Sequence, residues 1–117
     1  MADRSVANVT TEKWVDAWFQ RTGGGSLVLP DGWFGRPFDN LHQLTFSCAR
    51  PNAILIELDD QLHLLLNGSV QIVEEDAALV LKGFTSCVFV WLEYGGGQTH
   101  RQVYDTGEVR FQAPPGA

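Results

Sequence analysis

The sequence predicts a mainly β (α+β) fold, in which one short N-terminal helix packs on an antiparallel meander of about eight short strands, shaped as a roll, barrel-like or a two-layer sandwich. Three observations carry this expectation. The apolar period is close to 3.6 before the glycine run Gly23-Gly24-Gly25 and close to 2 after it. Turn residues then recur at short, near-regular intervals along the chain. No segment between the strand-like runs is long enough for the crossover helix that a parallel βαβ unit requires.

Residues 1–9 show no period and read as a flexible N-terminal arm. Thr10 or Thr11 can cap a helix beginning at Glu12, since a hydroxyl there accepts an unpaired N–H of the first turn. Trp14, Val15, Trp18 and Phe19 then form an apolar stripe opposite Lys13, Asp16, Gln20 and Arg21. Thr22 and the glycines end the helix, because glycine accepts the left-handed cap conformation.

The strands come next. Ser26–Leu29 is short and stops at Pro30-Asp31-Gly32. Leu41–Cys48 alternates, with His42, Leu44, Phe46 and Cys48 expected on one side. After the turn Ala49–Asn52, the residues Ile54, Ile56 and Leu58 alternate with Leu55, Glu57 and Asp59. A turn at Asp59-Asp60-Gln61 leads to Leu62–Leu66. Asn67-Gly68 is the strongest hairpin signal in the chain and predicts pairing with Val70–Val73. Glu74-Glu75-Asp76 turns into Ala78–Lys82. Phe84–Glu93 is apolar on both faces, which predicts an inner strand covered by the core on one side and by the helix or a second subunit on the other. Gly95–Gly97 is a loop, Gln98–Tyr104 returns, and Asp105-Thr106-Gly107 leads to Glu108–Gln112. The tail 113–117 carries Pro114-Pro115 and cannot continue a sheet. One β-rich domain over 10–112 is expected, since 117 residues bury roughly two-thirds of their unfolded surface and support a single core.

Composition narrows the function classes. Eight basic against fourteen acidic residues give a formal charge of −6, with only Lys13 and Lys82 as lysines. Nucleic acids are gripped by neutralising phosphates with Lys and Arg, so neither duplex nor single strands are expected partners. The excess is local: between residues 53 and 93, seven carboxylates face Lys82 alone, while the flanking segments balance. The turns carrying Asp59, Asp60, Glu74, Glu75 and Asp76 would form an acidic surface for a basic partner if they met at one end of the fold. No apolar run reaches membrane-spanning length and the N-terminus lacks signal-peptide order, which leaves no membrane partner and predicts a cytoplasmic protein. Cys48 and Cys87 lie in strand-like runs and are expected as buried free thiols.

Motifs for chemistry are sparse. His42, His63 and His100 have no ligand spacing, the cysteines form no Cys-x-x-Cys, and the glycine runs precede no Lys-Ser/Thr, so no metal or cofactor is expected. No nucleophile elbow occurs, and neither cysteine has the basic surroundings of a catalytic thiolate. The segment Pro30–His42 is the most informative. Trp33, Phe34 and Phe38 crowd one loop beside Arg36, Asp39, Asn40 and His42, either to plug the sheet or to form a recognition surface. The expectation is a small non-enzymatic binding or accessory protein, including an inhibitor or immunity-type protein for a basic partner. The alternatives are a homo-oligomeric structural domain, such as a homodimer, and an enzyme with a shallow polar site near Arg36, Asp39 and His42.

Overall fold

The helix is longer than its apolar stripe. α1 runs from Arg4 to Thr22 in a computed structural model that describes residues 4–34, 41–75, 77–92, 99–105 and 107–113. Residues 4–9 are therefore helical, and the expected flexible arm and the expected start at Glu12 are both corrected. The reason lies in the buried stripe, which is Asn8, Thr11, Val15, Trp18 and Phe19. Its first two members are polar, so an apolar period does not register them. Thr11 caps nothing; its hydroxyl donates to the Val70 carbonyl at 3.0 Å from inside the helix. Trp14 lies off the stripe, 42% exposed, with its indole N–H donated to Glu74 at 2.9 Å. The end is as expected: Gly23, at φ +80°, donates its N–H to the Phe19 carbonyl at 2.9 Å.

Ten strands follow among the described residues: β1 (Ser26–Leu29), β2 (Gly32–Trp33), β3 (Leu44–Arg50), β4 (Ala53–Leu58), β5 (Leu62–Asn67), β6 (Gln71–Glu75), β7 (Ala78–Lys82), β8 (Ser86–Leu92), β9 (Thr99–Tyr104) and β10 (Val109–Gln112). They form two five-stranded antiparallel sheets, ordered β2-β1-β10-β7-β6 and β3-β4-β5-β8-β9. The fold is thus mainly β with one N-terminal helix, as predicted, but it is no continuous meander. The chain leaves the second sheet after β5, returns to it at β8, and leaves again after β9.

Asn67-Gly68 marks the first of those crossings and not a hairpin. β5 pairs with β4 and β8, while β6 pairs with β7. The local signal is overruled by distant partners. The Asn67 carbonyl accepts from Thr85, and Gly68 donates to the Asn52 carbonyl. The buried Asn8 side chain donates to the carbonyls of Arg50 (2.9 Å) and Gly68 (3.1 Å) and accepts from the Val70 N–H (3.1 Å). One amide thereby joins α1, the β3–β4 turn and the crossing.

The second correction concerns β3. The register shifts between Leu44 and Phe46, so Leu44 stays opposite Leu58 while Phe46 lies opposite Glu57 and Cys48 opposite Leu55. Side chains expected on one side are split between two faces. The hydroxyl of the bulged Thr45 donates to the Glu57 carbonyl at 3.1 Å and accepts from the Asp60 N–H at 3.2 Å.

Between the sheets lies one core. Ile54, Ile56 and Leu58 of β4, Leu62, Leu64 and Leu66 of β5, and Cys87 and Phe89 of β8 meet Leu79, Leu81, Val109 and Phe111 of the first sheet. Trp18, Phe19 and Phe111 pack ring on ring at 4.9 to 6.3 Å. Near the helix end the sheets touch directly, where Gly25 and His42 exchange two backbone hydrogen bonds of 3.0 and 2.8 Å. Gly25 passes so close beneath Trp18 that a Cβ would stand 2.8 Å from the indole. Only glycine fits there.

Replacing Asn8 with Ala strands a buried N–H and two carbonyls. Each unpaired buried polar group costs about 1–3 kcal/mol, so a loss of about 3 kcal/mol is expected in urea unfolding. A loss within a few tenths of a kcal/mol would contradict the role given to this amide.

Candidate functional site

The aromatic segment after β1 divides in the structure. Trp33 ends β2, which pairs with β1 through Val28. Phe34 turns inward and meets Phe89 at 5.1 Å, Trp91 at 5.8 Å and His42 at 6.0 Å, edge-on to the two core rings. This ring acts as a plug. Arg36, Phe38, Asp39 and Asn40 lie outside the described residues, as do Asp76 and the loop Gly95–Gly97.

His42 is 7% exposed, and its Nδ1–H donates to the Asp59 carboxylate at 2.6 Å. The other Asp59 oxygen accepts the Gln43 N–H at 2.8 Å, and the Asp59 N–H donates to the Gln43 carbonyl at 2.9 Å. Asp59 and Asp60 hold left-handed φ values of 56° and 57°, which Asp tolerates better than most residues. Among the described residues Nε2 of His42 has no hydrogen-bond partner. An imidazole oriented by a carboxylate is half of a general-base arrangement, but a base needs a substrate within reach. His42 is closed off by Phe34 and the Gly25 bridge. Trp91 stacks on His100 at 5.0 Å, and His63 faces Glu57 at 3.3 Å, so the three histidines have separate partners. Among the described residues no group of three metal-ligating side chains converges.

Glu74 and Glu75 end β6, Asp59 follows β4, and a series of contacts runs between the two places. Asp59 binds His42, His42 bridges Gly25, and β1 leads through Gln112 to the β6–β7 turn, where Ala113 donates to Ala77. Among the described residues, the carboxylates of Asp59, Glu74 and Glu75 are satisfied within the chain, however. Glu74 accepts from the Trp14 indole N–H and from Arg21 at 2.6 Å, and these hydrogen bonds hold it below the ordinary carboxylate range. Glu75 pairs with Arg110 at 2.8 Å. Two carboxylates of that acidic region, Glu74 and Glu75, are thus paired with arginines from the ends of the chain. Two clefts flank the helix there, one of about 260 Å³ edged by Asp16, Gln20 and Gln43, the other of about 310 Å³ edged by Arg21, Glu74 and Glu75.

A different surface stands out: the face of the second sheet turned away from the core. Register places Cys48, Leu55, Leu65, Val88 and Val103 in one row across all five strands. The next row is Phe46, Glu57, His63, Val90 and Arg101. Phe46 is 50% and Val103 43% exposed, and none of the apolar members of either row belongs to the core cluster. α1 packs against β3, β4 and β6 from the core side, with Glu12 accepting the Ser47 hydroxyl at 2.9 Å, and leaves this outer face bare. The two-sided apolar character of Phe84–Glu93 was the signal for it; the rows themselves emerge only from strand register.

No protein-family model matches this chain, and no curated protein or solved structure matches it either.

The cysteines differ in reactivity. Burial pushes the Cys87 thiol up to about 12, whereas Cys48 is half-buried on the outer face. Tyr104 is also pushed up to about 12, first by burial and then by its hydrogen bond to Asp31 at 3.0 Å. A raised thiol or phenol pKa confers stability that is whole below the unfolded values of 9.0 and 10.0 and is lost as pH climbs toward 12. Denaturant midpoints should therefore fall through that window, and less steeply in Cys87→Ala. In native protein a thiol reagent should label Cys48 alone, with Cys87 reacting only after unfolding. Fast native labelling of both would refute the assignment.

Proposed function

We propose that this chain is a small non-enzymatic binding or accessory protein of the cytoplasm, whose partner is a protein and neither nucleic acid nor a membrane. The observation that carries the reading is the apolar row Leu55, Leu65, Val88 and Val103 on the outer face of the second sheet, half-buried at the first three and exposed at Val103, over which no described element packs. A contiguous apolar patch on a small domain marks a contact surface, because exposing it to water costs free energy that burial against a partner recovers. The acidic balance and the scarcity of lysine speak against phosphate backbones, and two free thiols suit a reducing compartment. Among the described residues no helix is long and apolar enough to cross a membrane.

An inhibitor or immunity-type role against a basic partner would draw on the acidic turns. With Asp59, Glu74 and Glu75 already bonded within the chain, the apolar face is the stronger support. The enzyme reading rests, within the described residues, on His42 alone, whose imidazole is enclosed. The homo-oligomeric reading is favoured by Glu57 and Arg101, the opposite charges that flank the apolar row.

A photo-crosslinking amino acid at position 65, 103 or 36, expressed in the source cell, tests the contact surface. Protein adducts are expected from positions 65 and 103. Adducts from position 36 alone would move the surface to the aromatic loop, and none at any position would overturn the reading.

A further inference from the structure

We infer that the outer face of the second sheet recognises a second copy of this chain, the two sheets stacking face to face about a two-fold axis that runs along the strands between β5 and β8. The inference rests on the binding reading above and names its partner. The sequence requires a cover for the outer side of β8, and the helix, lying on the core side, does not provide it.

Symmetry decides between candidate partners. In a two-fold contact, residue i meets j while j meets i. An axis between β5 and β8 sets β5 against the partner's β8 and β4 against its β9, with each row kept in place. Leu65 then meets the partner's Val88, and Leu55 meets the partner's Val103. In the neighbouring row Glu57 meets the partner's Arg101, so the interface carries two opposite-charge pairs beside its apolar centre. Arg101 is exposed and forms no ion pair among the described residues. Other axes do worse. One along β5 sets Glu57 on Val90 and Arg101 on Phe46. One along β8 sets His63 on Arg101, and one across the strands sets both charges on the apolar row. Of these, only the first pairs both Glu57 and Arg101, and sheets stacked this way keep their strands within the roughly 30° of aligned packing.

The four strands that meet, about 4.8 Å apart and about 20 Å long, present about 400 Å² per copy. Two such faces lie below the standard size of specific interfaces, in the range of weak, transient contacts, so the dimer forms and dissociates with concentration.

Sedimentation velocity of the full chain, from low micromolar to submillimolar, is the test. Wild type is expected to shift from monomer to dimer. Leu65→Lys should stay monomeric throughout while keeping the wild-type unfolding temperature, which shows that it folds. Arg101→Glu, on an exposed edge-strand position, should weaken association about tenfold, and adding Glu57→Arg should restore it. A wild-type monomer at every concentration would overturn the inference, as would a Leu65→Lys dimer or a double variant no better than Arg101→Glu. A monomer that still gives adducts to another protein at position 65 removes the second copy but keeps the binding reading; a monomer with no adducts removes both.

Discussion

The side-chain amide of Asn8 is the contact on which the arrangement of the two sheets depends. The chain must pass from one sheet to the other after β5, and a crossing exposes backbone groups that neither sheet can pair. Asn8 supplies them with partners inside the protein, bonding Arg50, Gly68 and Val70 together, and Thr11 takes the remaining Val70 carbonyl. Buried polar groups demand such partners more strongly than their net stabilisation suggests, because the cost of leaving them bare is large. The helix is therefore more than an apolar lid. Its first half is a polar bracket and its second half, with Val15, Trp18 and Phe19, belongs to the core.

This division explains what could be read from the residues. The strands announce themselves because period-2 alternation is a direct image of burial: Ile54, Ile56 and Leu58 are fully buried, and Leu55 and Glu57 are not. The helix end is equally legible, since a glycine with positive φ meets a local need. Pairing is different. Asn67-Gly68 carries a sound local hairpin signal, yet Thr85 and Asn52 claim its backbone, and no short window contains them. Asn8 escapes notice for a related reason, because its value is set by carbonyls more than 40 residues away.

The candidate surface was half legible. Two-sided apolar character in Phe84–Glu93 required a cover on each face, which remains its best signal. Which residues join it in a row could not be known before register was. The bulge at Thr45 makes the point, for it alone brings Phe46 and Cys48 to the outer face while Leu44 remains beside the core. The aromatic loop, by contrast, drew attention through composition, and Phe34 shows one use of such rings: tethered core residues supplied from outside the regular strands.

The position of β10 governs how this chain must acquire its structure during synthesis. It lies between β1 and β7, and its register joins Ser26 to Gln112. β1 thus leaves the ribosome long before its second neighbour does. Until Val109–Gln112 has been made, β1 and β7 are separated by an empty lane, and their inward leucines lack Phe111. Contacts this distant in sequence make folding slow and expose unpaired strand edges meanwhile. A nascent chain halted after β9 could assemble its second sheet, whose strands are all complete, but its first sheet would remain two fragments.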